Sequence, residues 1–386
     1  MATDDNGIPL SYYQEPNSLL TIDAKTHSGL LAVGALAAIS VLFTTALLGF
    51  ITWRMIAWRA HYTRSVGRNQ CIVLIYQLIL ADFIQSLGFL ISFHWASEGK
   101  IIGPNGACFA QGWMIQAGDV ASAFFVLAIA MHTTYQVMYS RNPSYNFFLG
   151  MVIGIWSVAL LLTCLAPIVG GRFVFMRAGV WCWISVGHED LRLLLHYLWI
   201  FIVQFGSILI YASGFYYLFR AKRPGAIMIQ GASVEALNKA ARAMLAYAIV
   251  YTILTLPLAA GRMASMSGHE LSNEYYFFAG CLFTSCGFID TLLYAFTRRT
   301  LLFNELDFVG NHEPDRNDKR DTHVGYPRNN STDDMLAETG FGSFGGIKME
   351  RTVKVELDDL GSEGSAEGGG INGITKFQYS AQAHAS

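Results

Sequence analysis

The chain has 386 residues, of which 53% are hydrophobic and 14% are charged, and its formal net charge at pH 7 is -2. Soluble domains carry roughly 25% charged residues, so this composition predicts a protein that lies in a lipid bilayer. The nearly neutral charge, with basic residues in small scattered groups, gives no positive surface that would attract nucleic acid, and it excludes that class of partner.

Seven apolar stretches follow one another along the chain with polar breaks between them. A helix of about 20 apolar residues crosses the hydrocarbon core of a bilayer. We expect such helices at residues 30–56, 71–95, 108–139, 147–168, 191–219, 240–263 and 275–297, and we refer to them as spans one to seven. The sequence therefore predicts an all-α membrane protein with a seven-transmembrane helix bundle over residues 30–299.

Basic residues indicate the orientation of the bundle, because cytoplasmic loops carry an excess of lysine and arginine. Arginines follow spans one and seven, and a basic cluster separates span five from span six. We therefore expect residues 1–29 to be a short extracellular N-terminus. The prediction is a multi-pass protein of the plasma membrane with its N-terminus outside.

The composition changes after span seven. Residues 300–309 contain TLLFNELDF and predict a short amphipathic helix that lies on the membrane surface. Residues 310–386 are rich in Asp, Glu, Ser and Gly, as in GSEGSAEGGG, and predict a disordered cytoplasmic tail.

Two of the six cysteines lie on the predicted outer side. Cys108 opens span three, and Cys182 lies in VWCWIS, in the long loop before span five. Both face the oxidising compartment, so we predict a disulfide between them, with two unpaired thiols as the alternative.

The combination of seven spans, this cysteine pair, Trp156 in span four and Pro257 in span six resembles a G-protein-coupled receptor. More narrowly, WCWIS before span five, YAIVYTILTLPLAAGRM in span six and GFIDTLLYAFTRR in span seven resemble the cyclic-AMP-receptor-like receptors of slime moulds and fungi. The same stretches also resemble those of the related fungal glucose-sensing receptors. The resemblance implies a receptor that senses an extracellular small molecule, such as cyclic AMP, a sugar or an amino acid. It implies activation of a heterotrimeric G protein in nutrient or cyclic-AMP signalling.

Two acids interrupt the apolar spans. Asp290 lies in LFTSCGFIDTLLYAF in span seven, and Asp82 lies in LILADFIQSLGF in span two. A charged residue at the centre of a membrane helix costs about 2.5–3.5 kcal/mol on insertion scales, so each acid must find a partner or carry a proton. By resemblance, Asp82, Ser122 and Asp290 surround a polar cavity like the sodium site of other receptors, and Asp290 with Tyr294 resembles an Asn-Pro-x-x-Tyr pair. The alternative is that each acid only hydrogen-bonds to a neighbouring helix.

Span three carries a further acid in its outer half. Asp119 lies in IQAGDVASAFF, one helical turn outward of Ser122, and Gln116 is its near neighbour. Two interpretations of Asp119 stay open. It either accepts hydrogen bonds from hydroxyl or amine groups of a ligand, or it ties span three to a neighbouring helix.

Cations and tryptophans recur around the predicted outer rim. The candidate ligand-binding residues there are Arg177, Trp181, Trp183, Arg192 and Arg262. Guanidinium groups pair with anions and tryptophan stacks on rings, so this set suits an anionic or ring-bearing ligand. The alternative is that these residues settle at the membrane interface without any ligand.

Basic residues and one tyrosine at the predicted inner face are the candidates for contact with a G-protein alpha subunit, the partner that the resemblance implies. They are Arg141, Tyr145, Arg220, Lys222, Arg223, Lys239 and Arg242. The alternative is that the cations only bind anionic lipid headgroups.

Other function classes fit the sequence less well. A retinal protein needs a lysine inside a span, and no predicted span contains one. Transporters typically show internal repeats, which the sequence lacks. A membrane enzyme needs a nucleophile with its base or a metal cluster, and neither Gly-x-Ser-x-Gly nor His-Glu-x-x-His occurs. We therefore expect a receptor without enzymatic activity or cofactor, and the alternatives are a transporter or a membrane sensor that does not couple to G proteins.

Overall fold

A computed structural model describes residues 8–57, 67, 69–139, 143–221, 231–269 and 271–297, without the side chains of 137, 215, 218, 219, 221, 231–248 and 297. Seven of its helical segments are long and apolar enough to cross a membrane, which confirms the predicted seven spans. The segments are Ala24–Ile56, Gln70–Glu98, Gly106–Gln136, Tyr145–Gly170, Val186–Gly214, Ile249–Met266 and Asn273–Phe296. The predicted amphipathic helix at 300–309 and the tail at 310–386 lie outside the described residues.

Polar residues cap the first two spans. Span one is the helix Ala24–Ile56, and the Asp23 carboxylate before it accepts a hydrogen bond from the Lys25 amide at 3.2 Å. Span two begins as Gln70–Leu90, where Asn69 accepts hydrogen bonds from two amides of the first turn. Such side chains satisfy amides that have no partner within the helix.

Spans three to six are helices of different lengths. Span three is Gly106–Tyr139, span four is Tyr145–Gly170, and span five continues as Leu198–Ala221 after an irregular first part. Span six is Gly231–Met266, and it begins well before the predicted residue 240 because its polar lead-in is helical as well. Tyr145, which we predicted on a loop, is the first residue of the span-four helix.

Span three lies at the centre of the bundle. Of its most apolar window 78% is buried within the protein, against 28% for span four, whose side chains largely face outward. Gly118 allows span two to approach closely, since a Cβ atom at this position would lie 2.6 Å from the Gln85 amide nitrogen. Small residues commonly let membrane helices pack at short distance.

Two spans that we predicted as single helices are interrupted. Span two continues beyond Ile91 as the short helix Ser92–Glu98. Span seven consists of Asn273–Thr284 and Cys286–Thr297. At this second break the Ser40 hydroxyl donates to the Thr284 carbonyl at 2.6 Å and accepts from the Phe288 amide at 3.3 Å. Span one therefore supplies hydrogen bonds at the interruption of span seven.

A two-stranded hairpin covers one end of the bundle. Strand β1, Phe175–Arg177, pairs in antiparallel fashion with strand β2, Cys182–Ile184. Gly179, with φ of 85°, lies in the turn, where a residue with a side chain would be strained. The predicted disulfide between Cys108 and Cys182 is present and joins β2 to the start of span three. We call this end of the bundle the outer end.

The segment before span one lies at the same end. Residues 8–23, which we call the N-terminal strap, contact the loop after span two: Leu19 and Ile101 exchange two backbone hydrogen bonds of 2.8 Å. The Ser18 hydroxyl accepts a hydrogen bond from the Gly103 amide at 2.9 Å. These bonds fix the strap beside the hairpin.

Candidate functional site

A small cavity lies between the hairpin and the outer halves of the spans. Aromatic side chains form much of its wall, including Phe89, Trp181, Trp183 and Phe283. Its polar lining includes Asp119, His196, Tyr197, Thr255 and Arg262. The volume that the centre of a water-sized sphere can occupy is about 20 Å³. This space suffices for a water molecule but not for a ligand of several heavy atoms, so the site is narrow in the described conformation.

Asp119 and His196 form a buried pair at this cavity. The Asp119 Oδ2 atom lies 2.8 Å from His196 Nε2, and the two side chains are only 3% and 7% exposed. The other polar atoms of the pair, Asp119 Oδ1 and His196 Nδ1, are buried and have no hydrogen-bond partner among the described residues. Buried polar atoms without partners are costly, so they mark a place that a ligand or water completes.

A π-helical turn positions His196. The segment Leu193–Tyr197 at the start of span five forms this turn, and it buries the consecutive residues Leu195, His196 and Tyr197. The Leu195 carbonyl accepts a hydrogen bond from Gln116 Nε2 at 2.9 Å. The turn thus brings both His196 and a backbone carbonyl to span three, as π-bulges at functional sites often do.

Two arginines hold the hairpin against the helices. Arg262 of span six donates to the Ala178 carbonyl at 2.7 Å, and its guanidinium lies 5.5 Å from the centre of the Trp181 ring. Arg192, at the start of span five, donates to the Ile184 carbonyl at 2.7 and 2.9 Å and lies 5.5 Å from the Trp183 ring. Each arginine therefore combines a charge-assisted hydrogen bond with a cation–π contact.

The structure places four of the seven predicted ligand-binding residues at the cavity: Asp119, Trp181, Trp183 and Arg262. The remaining three do not line it. Gln116 supports the wall from behind, because its Oε1 accepts from Trp183 Nε1 at 3.0 Å. Arg192 binds the hairpin backbone. Arg177 contacts the strap at Glu15, and burial lowers the pKa of this guanidinium while the Glu15 charge opposes the shift. His196 is not among the predicted ligand-binding residues, but it lines the cavity as well and contacts Asp119 between spans five and three.

The predicted intramembrane acids meet deeper in the bundle. The Ser122 hydroxyl donates to Asp82 Oδ1 at 2.8 Å, and the Asp290 carboxyl group lies close enough to interact with that of Asp82. Gly287 makes room for this contact, since a Cβ there would lie 3.3 Å from the Asp82 Cβ. Tyr294 is also buried. No group of three or more His, Cys, Asp or Glu side chains in the described ranges is arranged to hold a metal ion.

Comparisons with known proteins identify the architecture. No family model matches the chain, and no curated protein matches its sequence significantly. Among solved structures, the crystal structure of squid rhodopsin matches with a TM-score of 0.54 and 15% sequence identity, over 77% of this chain and 90% of that chain. The chain has a rhodopsin-like seven-helix fold. At this identity the likeness concerns the fold, and the site must be judged from its own residues.

The inner end of this rhodopsin-like fold carries part of the predicted coupling surface. Tyr145 and Arg220 are exposed, and Arg220 lies 5.8 Å from the centre of the Tyr216 ring. Lys239 and Arg242 lie on the span-six helix, but their side chains are outside the described part of the chain. Three further candidates, Arg141, Lys222 and Arg223, lie outside the described residues altogether.

A hydrogen-bond network links three spans near the same end. His132 Nε2 of span three lies 2.8 Å from Gln70 Oε1 at the start of span two. The side-chain nitrogen Nε2 of Gln70 donates to the Pro143 carbonyl, just before span four, at 2.8 Å. His132 therefore connects span three to the start of span two and, through Gln70, to the segment before span four.

Proposed function

We propose that this protein is a seven-transmembrane receptor that senses an extracellular small molecule and activates a heterotrimeric G protein. The observation that carries the proposal is the cavity of a rhodopsin-like fold, lined by two residues with unpartnered buried polar atoms and covered by a disulfide-anchored hairpin. Concave sites that combine aromatic walls with a few convergent polar groups are typical ligand sites. The proposed location is the plasma membrane, with the outer end facing the extracellular side.

Ligand binding must open the cavity. Drug-sized ligands occupy roughly 300–1,000 Å³, far more than the described conformation offers. A ligand that enters therefore stabilises an expanded state, and it shifts the population only by its difference in affinity between the two states. Because Arg192 and Arg262 fasten the hairpin to spans five and six, expansion at the hairpin moves the outer ends of those two spans.

The coupling partner in this proposal is the alpha subunit of a heterotrimeric G protein. Tyr145 and Arg220 supply the described part of the contact surface, with Arg141, Lys222, Arg223, Lys239 and Arg242 as its further members. Movement of spans five and six changes this surface and releases nucleotide from the bound G protein. The proposed pathway is nutrient or cyclic-AMP signalling.

We assign the intramembrane acids to a polar switch between the two ends. Two facing carboxylates repel each other unless they share a proton or a cation. The oxygen atoms of Asp82, Asp290 and Ser122 are hard ligands that suit sodium, and Tyr294 lies one helical turn beyond Asp290. In this proposal the shared proton or sodium links the charge of the pair to the packing of spans two and seven.

The test is nucleotide exchange on a panel of G-protein alpha subunits, with receptor in nanodiscs and separate additions of cyclic AMP, glucose and amino acids. Stimulated exchange by one of these ligands would support the proposal. An Asp23→Asn receptor, altered outside the cavity and the inner surface, should respond as the unaltered protein does. Flat exchange from folded receptor across the whole panel contradicts coupling. Ligand-dependent flux into liposomes would instead favour the transporter alternative.

A further inference from the structure

We propose that Asp119, His196 and Arg262 recognise a small monocarboxylic acid that also carries a hydroxyl or ammonium group and an apolar side chain. Apolar α-hydroxy and α-amino acids have this chemistry. The inference rests on the proposed receptor function and names the ligand class for its cavity.

The acid–histidine pair supplies the first recognition element. Its two remaining polar atoms, Asp119 Oδ1 and His196 Nδ1, belong to residues that line the cavity, are buried and have no partner among the described residues. A carboxylate oxygen only accepts hydrogen bonds, so it requires a donor from the ligand. A hydroxyl or ammonium group meets this requirement, whereas a hydrocarbon leaves the oxygen unsatisfied.

Arg262 supplies the second recognition element. Within the described part of the chain, no carboxylate lies within ion-pairing distance of Arg262 or of Arg192, and the two cations are near enough to repel each other. Glu189 offsets part of the charge of Arg192. The cavity therefore favours an anion at Arg262. A carboxylate fits better than a doubly charged phosphate, because Arg262 is the one guanidinium in the described lining of the cavity and its single positive charge balances a single negative charge.

The wall of the cavity determines the side chain and the size of the ligand. Phe89, Trp181, Phe283 and Leu258 surround the polar groups, and apolar atoms that leave water for such a wall contribute roughly 25 cal/mol per Å². The side chain of the ligand is therefore apolar. The small volume of the closed cavity also favours a small molecule, because a larger one requires a wider separation of the hairpin and the helices.

The experiment measures binding directly, by tryptophan fluorescence and thermal shift of the full chain in nanodiscs. Phenylalanine and phenyllactate are the probes. Phenylalaninamide lacks the carboxylate and 3-phenylpropionate lacks the donor, so both should bind at least tenfold more weakly. Arg262→Gln should weaken the two probes at least tenfold and should weaken phenylalaninamide much less. Asp119→Asn and His196→Asn should remove the preference for the probes over 3-phenylpropionate.

Matched controls separate the site from general damage. Arg177→Gln removes a cation of the same hairpin that does not line the cavity, and it should leave both probe affinities unchanged. The series of four compounds on the unaltered receptor tests the chemistry even where a variant fails to fold. Absence of saturable binding by all four compounds, or equal binding of acid and amide, overturns the inference.

The two proposals fail in different ways. Probe binding with the expected preferences but without nucleotide exchange supports this ligand site and contradicts G-protein coupling. Exchange driven by glucose or cyclic AMP that survives Arg262→Gln supports the receptor and overturns the site.

Discussion

At the scale of single residues, the contact between Asp82 and Asp290 brings two acids together with too few hydrogen-bond donors for their oxygen atoms. Ser122 provides one donor to Asp82 Oδ1, but Asp82 Oδ2 has no hydrogen-bond donor among the described residues. An asparagine at position 290 would supply an amide donor at this point. We therefore expect Asp290→Asn to raise the free energy of unfolding in sodium-free buffer by about 1 kcal/mol, the usual net value of a buried hydrogen bond.

Thermal unfolding of purified receptor measures this effect. Asp290→Ala is the matched control, because it removes the same carboxylate without adding a donor and should destabilise the protein. If sodium binds between the acids, the melting temperature of the unaltered receptor rises with sodium and that of Asp290→Asn does not. Destabilisation by Asp290→Asn to the same extent as by Asp290→Ala would contradict the prediction.

Part of the candidate site can be predicted from residue types in the sequence, and part of it cannot. An acid in an apolar span must have a partner, so Asp82, Asp119 and Asp290 stand out in the sequence. The partner of Asp119 does not, because His196 is distant along the chain and reaches span three through a π-helical turn. Sequence periodicity assumes a regular helix and does not show which residues such a turn brings together.

At the scale of helices, the close approach of spans two and three depends on Gly118. A Cβ there would lie 2.6 Å from the Gln85 amide nitrogen and 2.8 Å from the Ala81 carbonyl oxygen, both of which are backbone atoms that cannot rotate away. Gly118→Ala is expected to cost about 1–3 kcal/mol, as overpacking generally does. The measurement is the shift in thermal unfolding.

Gly150 provides the matched control for this substitution. It lies on the outward side of span four, and a Cβ there meets no atom within 4 Å. Gly150→Ala should be neutral or should stabilise the helix by up to about 1 kcal/mol, through higher helix propensity. Equal effects of the two substitutions would show that Gly118 does not determine the approach.

The break in span seven gives a second prediction for the helices. Ser40→Ala removes both the donor to the Thr284 carbonyl and the acceptor for the Phe288 amide. Groups that lose their partners in a buried environment cost roughly 1–3 kcal/mol, so the receptor should unfold at lower temperature. Ser157→Ala is the control, since that exposed hydroxyl binds only its own helix, and it should change little. A receptor that tolerates Ser40→Ala as well as Ser157→Ala would contradict this account.

Hydropathy predicts helices more readily than their interruptions. All seven spans were predictable because the apolar length needed to cross a bilayer is fixed by the bilayer itself. The breaks at Ile91 and Ser285 were not, because no proline marks either position. What supports the span-seven break is a hydroxyl on span one, and only the packed bundle shows that relationship.

At the scale of the whole molecule, the outer end is closed in two layers. The hairpin closes the cavity directly through Trp181 and Trp183, while the N-terminal strap contributes no lining residue. The strap contacts the hairpin through Arg177 and Glu15, whose ion pair measures 3.7 Å and leaves Glu15 largely exposed. Surface ion pairs contribute about 0–1 kcal/mol, so this contact adds little to the hydrogen bonds that hold Ser18 and Leu19.

The N-terminal strap can therefore affect how a ligand reaches the cavity without contacting the bound ligand. Removal of residues 1–16 takes away Glu15 but keeps Ser18 and Leu19, which fix the remaining segment to the loop after span two. Because an affinity depends only on the free and bound states, and the strap touches no ligand, the Kd for phenylalanine should change by less than about twofold. Association and dissociation should both become faster, by the same factor, since the strap obstructs both directions equally.

Stopped-flow tryptophan fluorescence of the truncated and complete receptors measures both rates. Glu15→Gln should give a smaller change in the same direction, because it removes the ion pair and leaves the strap in place. Unchanged rates after truncation would mean that the ligand does not pass the strap, and entry between the spans would then be the remaining route. A weaker affinity would mean that the strap stabilises the bound state. Only equal acceleration of both steps identifies the strap as a gate whose position affects the rate of binding and not its strength.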